Sequence, residues 1–224
     1  MFKNAKGKFM TTLLGGLMAC GIGNAEPVNL PDPALDAPLA QSHGSATLTV
    51  AGGCFWGIQA VFQHVKGVEK AISGYAGGAA LTAHYEIVST GATGHAESVQ
   101  ITYDPAQITE GQLLKVFFSV AHDPTELNKQ GPDHGTQYRS AIFYATPEQQ
   151  KIADAYIAQL NAAKSFPTQI ATTLEPLSAF YPAEDYHQNY ATLHPDNMYI
   201  TINDAPKVRN LEKQFPTLYT DMKK

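Results

Sequence analysis

Thr47-Leu48-Thr49-Val50-Ala51-Gly52-Gly53-Cys54-Phe55-Trp56-Gly57 places a strand-like run, a glycine turn and a helix start in immediate succession. The run through Ala51 is short and strand-like. Beyond the glycines, Phe55, Ile58, Phe62 and Val65 recur on one helical stripe, so a helix is expected through about Val65. Cys54 falls at the junction. A thiol at a helix N-terminus faces unpaired backbone N–H groups and the positive end of the helix dipole, which favour the nucleophilic thiolate. The two large aromatics that follow would wall an apolar pocket beside it.

Working outward, strands and helices alternate. A second strand is expected over Glu69 to Tyr75, stopped by Gly77-Gly78, and a third over Glu97 to Tyr103, stopped by Asp104-Pro105. Thr109-Glu110-Gly111-Gln112 reads as a capping box opening a helix to about Val120. Tyr138 to Tyr144 is a further strand, and Thr146-Pro147-Glu148-Gln149 starts a helix to about Ala163. Another strand is expected at Gln169 to Leu174 and a last helix at Ala205 to Phe215. This order predicts an α+β fold, a mixed sheet with helices packed against it.

The chain of 224 residues is long enough for one domain with a proper core. Lys3, Lys6 and Lys8 precede an apolar run from Phe9 to Ile22, the pattern of an export signal over residues 1–25. Cleavage after Ala25 would leave Glu26 first. Leu17-Met18-Ala19-Cys20 also resembles a lipoprotein signal, which would put a lipid anchor on Cys20. The expected location is therefore exported, periplasmic or membrane-anchored. The Pro- and Ala-rich residues 26–45 read as a linker, and residues 46–224 as the catalytic domain. Without the leader, twelve basic residues face twenty acidic ones, which argues against nucleic acid as a partner. Of two cysteines, Cys20 and Cys54, only Cys54 would remain as a free thiol.

In the strand that ends at Tyr103, His95, Glu97, Val99, Ile101 and Tyr103 share one face. That face is apolar, so Glu97 is expected to point into the core. A carboxyl in apolar surroundings holds its proton near neutral pH and can serve as a general acid. The plain alternative is a core glutamate neutralised by Arg139 or His95. Tyr85, Tyr138, Tyr186 and Tyr190 offer hydroxyl donors, Asp133 follows the turn pair Gly131-Pro132, and His187 is either a base or a structural donor. No CxxC and no helical HxxxH spacing exists, so no metal site is expected.

Several motifs in order resemble the peptide methionine sulfoxide reductase A family. They are Gly52-Gly53-Cys54-Phe55-Trp56-Gly57, Gly74-Tyr75-Ala76-Gly77-Gly78, Tyr85-Glu86-Ile87-Val88, Gly94-His95-Ala96-Glu97 and Tyr103-Asp104-Pro105. His122-Asp123-Pro124-Thr125, Gln130-Gly131 with Gly135-Thr136-Gln137-Tyr138-Arg139-Ser140, and Glu184-Asp185-Tyr186-His187-Gln188 complete the series. The resemblance covers about Ala46 to the C-terminal helix. It implies a ferredoxin-like α/β sandwich core and reduction of methionine-S-sulfoxide, free or protein-bound; a monomer is expected. It also implies roles: Cys54 attacks the sulfoxide sulfur and Glu97 supplies the proton. Tyr85 and Tyr138 hold the sulfoxide oxygen, Phe55 and Trp56 take the methyl group, and Asp133 orients the site. The product thiol is a sulfenic acid. No cofactor is implied beyond an external thiol reductant, thioredoxin-like or small, because no cysteine follows Cys54 to resolve the sulfenic acid. Leu81-Thr82-Ala83-His84 also replaces the family's Asn-Pro-Thr-type segment before Tyr85.

Two rival functions stand beside this one. A cysteine hydrolase would need His187 within hydrogen-bond reach of Cys54. A non-enzymatic binder of oxidised or Met-rich segments would use Phe55 and Trp56 without turnover.

Overall fold

The computed structural model describes residues 28–221. Both readings of the leader, together with Cys20, fall outside the described residues. Strand β1 (Ala46–Gly52) leads through Cys54 into helix α1 (Phe55–Gln63) and on to β2 (Val68–Ala76). A one-turn helix α2 (Tyr85–Val88) precedes β3 (Ala96–Tyr103), helix α3 (Glu110–Val116) and a hairpin of β4 (Lys129–Gln130) and β5 (Asp133–His134). Then come β6 (Ser140–Tyr144), α4 (Pro147–Ala162), β7 (Thr173–Pro176), β8 (Phe180–Pro182), the short α5 (Tyr190–Leu193) and α6 (Ala205–Gln214).

Six strands form one sheet in the order β7-β6-β1-β3-β2-β8. Within it, β3 lies between β1 and β2 and runs antiparallel to both, and β6 flanks β1 antiparallel. Strands β1, β2, β3 and β6 with α1 and α3 thus make a split β-α-β repeated once, the ferredoxin-like arrangement. The parallel β6–β7 pair makes the sheet mixed. Leu48, Val50, Val99, Ile101 and Ile142 turn one sheet face toward the helices, while Ala51, Ala76, Ala96, Ala141 and Phe143 form the small-residue face. Ile58, Val61 and Phe62 of α1 are fully buried against the first face. Each such side chain contributes about 1.5–3 kcal/mol of hydrophobic stabilisation.

The cap motifs work as expected. Thr109 and Gln112 exchange their hydrogen bonds in a full capping box, and Thr146 accepts from the Gln149 N–H one residue ahead of Pro147. Three expectations need correction. The helix opened by the capping box is α-helical only to Val116; Phe117–Ala121 widens into a π-helical turn that leads to His122. The strand expected at Gln169 to Leu174 lies later, at Thr173–Pro176, because the Ile170 and Ala171 amides are taken by Asn161 and Pro124 instead of a strand partner.

Finally, the expected linker packs onto the domain over its described part. It forms no helix or strand, but Leu30 is buried and the Pro31 carbonyl accepts from Tyr156. Asp32 pairs with Lys115, and Asp36 accepts from the Thr109 hydroxyl and the Gly111 N–H at the start of α3. An anion at that helix end is favourable.

Candidate active site

The β1–α1 junction is shaped by two glycines. Gly53 has φ of +92°, and Gly57 faces the Asp204 carboxylate so closely that a Cβ would come within 2.1 Å of its Oδ1. The first lets the chain turn out of the sheet, and the second lets the C-terminal segment press against α1. Cys54 sits at the N-cap of α1 with 8 % exposure.

Glu97 points from β3 into the same place. It is 2 % exposed, and its Oε2 accepts the Phe55 N–H at 3.1 Å. The carboxyl, and not the thiol, therefore holds the first free amide of α1. Neither alternative partner neutralises it. Arg139 is committed to Glu175 through two hydrogen bonds of 3.0 Å. The His95 ring is held between the Gly78 N–H and the Ala79 carbonyl. Burial, with the Asp133 and Asp204 charges adding to it, pushes the Glu97 pKa up to about 8, against the pull of the Phe55 amide. At neutral pH the group keeps its proton.

The thiol departs from expectation. Burial raises its pKa well above the ordinary range, and Glu97, Asp204 and Asp133 push the same way. The Trp56 N–H favours the thiolate, but no side-chain cap hydrogen bond forms. The helix end is thus outweighed by a dry site ringed with acids. The resting pair is a neutral thiol beside a carboxylic acid.

The aromatic residues close around this pair. Phe55 is fully buried, with its ring 5.9 Å from Tyr75 and 5.1 Å from His187. Trp56 stacks on Tyr190 at 3.8 Å, meets Tyr199 edge-on, and donates Nε1–H to His187 Nδ1 at 3.2 Å. Tyr85 is anchored by its own N–H on Glu184. The Tyr85 and Tyr138 hydroxyls are raised in pKa, by burial first and then by Glu97, with Cys54 also contributing. Neither hydroxyl has a hydrogen-bond partner among the described residues, so both are donors to spare. Asp133 is no mere turn residue: it accepts the Tyr199 hydroxyl. A cleft of about 30 Å³ reaches Cys54 between His122, Asp133, Tyr199, Asn203 and Lys207, room for a water or two. A larger hollow of about 620 Å³ lies at the edge of β2 beside Gln59 and Gln188 and contains none of these groups.

Each residue singled out from the sequence (Cys54, Phe55, Trp56, Tyr85, Glu97, Asp133 and Tyr138) therefore faces or borders one site. The sequence reading missed Tyr199, Asp204 and Lys207, and quoted Glu184 within a motif without giving it a role. Asp204 has the position and residue type of an ordinary helix cap before Pro206, but it caps nothing; it turns inward to Lys207 at 3.2 Å. No nearby histidine serves as a base for the thiol. His187 Nδ1 is occupied by Trp56, and His122 is bound at both ring nitrogens, to the Phe117 carbonyl and the Ser140 hydroxyl. Burial drops the His122 pKa to about 3. Among the described residues, no group of three or more His, Cys, Asp or Glu is placed to hold a metal ion.

Residues 46–218 match the family model for peptide methionine sulfoxide reductase. The chain is 62% identical over 178 residues to peptide methionine sulfoxide reductase MsrA 2 of Mesorhizobium japonicum, covering 80% of this chain and 91% of that one. It is 50% identical to the MsrA 2 of Synechocystis, covering 83% and 88%. Among solved structures, it resembles methionine sulfoxide reductase A of Corynebacterium diphtheriae with a TM-score of 0.58 and 36% identity, over 78% of this chain and 87% of that one.

Proposed function

The chain belongs to the peptide methionine sulfoxide reductase family and reduces methionine sulfoxide, and from that footing we propose that Cys54 is its nucleophile and Glu97 its proton donor. The observation that carries this reading is the Glu97 carboxyl, buried, unpaired with any cation among the described residues, and hydrogen-bonded to the residue next to Cys54. A sulfoxide oxygen is a poor leaving group until it is protonated. An acid that keeps its proton to about pH 8 is suited to supply one.

In the proposed reaction the Cys54 thiolate attacks the sulfoxide sulfur. Glu97 transfers its proton to the oxygen, while the Tyr85 and Tyr138 hydroxyls hold that oxygen as charge develops. The sulfur–sulfur bond made in the attack then opens as the protonated oxygen passes from the substrate sulfur to Cys54, so methionine leaves with both electrons and Cys54 is left as a sulfenic acid. Phe55 and Trp56 receive the methyl group and exclude water. Asp133, fixed by Tyr199, orients the far wall. The S form at sulfur is the proposed substrate epimer. An external thiol then forms a mixed disulfide with Cys54, releasing water, and a second thiol frees it. A thioredoxin-like protein and a small thiol both fit this step, since Cys54 is the free cysteine among the described residues. The basic, apolar start of the chain supports export, with cleavage after Ala25 or a lipid on Cys20.

The pH dependence tests these roles. The working pair holds one proton: carboxyl protonated, thiol ionised. At neutral pH it holds two. Activity should therefore rise through about pH 8 as one proton leaves, and fall only when pH passes the still higher pKa of the thiol. The limbs belong to the pair, and their order reverses what a low-pKa thiol would give. Measured as kcat/KM on a sulfoxide peptide, a maximum at or above about pH 8 is expected. A profile already flat from pH 6 would contradict the assignment.

A further inference from the structure

Three segments border the site, and each carries an exposed acid beside an exposed large apolar residue. They are Glu86 with Ile87 on α2, Asp185 with Tyr186, and Asp196 with Met198 just before Tyr199. Met198 is 76% exposed and Tyr186 56%. These segments touch the chemistry directly. The Tyr85 ring lies 4.4 Å from that of His187, the Tyr186 ring 4.2 Å from it, and Tyr199 packs on Trp56. No Lys or Arg occurs in residues 71–114 or 165–206, from which the three segments come. The nearby cations are spent, Lys207 on Asp204 and Arg139 on Glu175.

A second observation points to a polypeptide. His187 is 2% exposed, and its Nδ1 accepts from Trp56, so Nε2 carries the proton in the neutral ring. That Nε2 is buried without a partner among the described residues. A buried unmet donor is costly, so a ligand that satisfies it gains by doing so. The His187 ring contacts those of Tyr85 and Tyr186, the residues beside Glu86 and Asp185, and a peptide carbonyl admitted between them would satisfy the donor.

We infer that, among polypeptide substrates, the preferred one carries Lys or Arg beside the methionine sulfoxide. The apolar rim residues take that substrate's neighbouring side chains, and the three acids draw its cations. This rests on the site being a methionine sulfoxide pocket, and the controls separate the two statements.

The test compares kcat/KM on three short peptides that differ only in the residues flanking methionine sulfoxide: Lys, Ala or Glu. The assay is run at about pH 8, above the ordinary histidine range, so that histidine charge plays little part. At low salt the Lys peptide should exceed the Ala peptide by about threefold to tenfold, with the Glu peptide below both. At about 0.5 M salt the spread should shrink. The triple variant Glu86→Gln, Asp185→Asn, Asp196→Asn should reduce the Ala peptide as fast as the wild type and lose the spread. Equal rates on all three peptides, or a spread that survives in the triple variant, overturns the preference. Failure to reduce the Ala peptide at all would instead refute the reductase reading itself.

Discussion

Replacing Cys54 by serine is expected to abolish sulfoxide reduction, with no turnover above the uncatalysed background at any pH. The reason is electronic. Reducing the sulfoxide takes two electrons, and the sulfur of Cys54 is where they come from, leaving as the sulfenic acid. A serine hydroxyl accepts no such oxidation and ionises far less readily. The fold should be unaffected, because the thiol makes no cap hydrogen bond and occupies a site of 8% exposure next to a small cleft. Binding of a sulfoxide peptide, measured by quenching of Trp56 fluorescence, should stay within about threefold of wild type, since Phe55, Trp56 and the tyrosines remain. Residual turnover in the variant would move the nucleophile elsewhere.

The second large effect is at Glu97. Glutamine keeps the shape and still accepts the Phe55 N–H, but has no proton to give. The single-turnover rate of methionine formation should fall by about 10²–10⁴-fold, the usual size of a general-acid contribution. A second readout moves in the opposite sense. Removing a charge that raises the Cys54 pKa should make the thiol easier to ionise, so its thiolate absorbance should appear at lower pH than in wild type. Slower chemistry with a more ionised thiol is a combination that simple damage to the pocket does not produce. Equal rates in the two proteins would remove Glu97 from the mechanism.

Much of this site was legible in the residues because it depends on local rules. The strand–glycine–cysteine–aromatic run placed Cys54 at a helix start. Strict alternation along β3 turned Glu97 inward, and the caps at Thr109 and Thr146 set two helix starts. What was not legible depends on distant packing. The N-cap rule suggested an ionised thiol, but it does not account for a dry pocket or for three acids brought in from β3, β5 and the end of a second π-helical turn, Ile200–Asp204, just before α6. Tyr199 and Asp204 carry no periodic signal. Their importance comes from docking against α1, which only the folded chain reveals. The segment before β1 misled for a similar reason. Its Pro-rich composition correctly excluded regular structure, yet its carboxylates and carbonyls found partners on α3 and α4.

The central claim is that one sulfur takes the oxygen from the substrate while an adjacent carboxyl supplies the proton. It is tested most directly by a single turnover without reductant. The enzyme is mixed with excess methionine-S-sulfoxide peptide, quenched into dimedone, and examined by peptide mass spectrometry. The account predicts one equivalent of methionine per enzyme and a dimedone adduct on Cys54. Methionine formed without an adduct on Cys54, or an adduct on Cys54 without methionine, would contradict it.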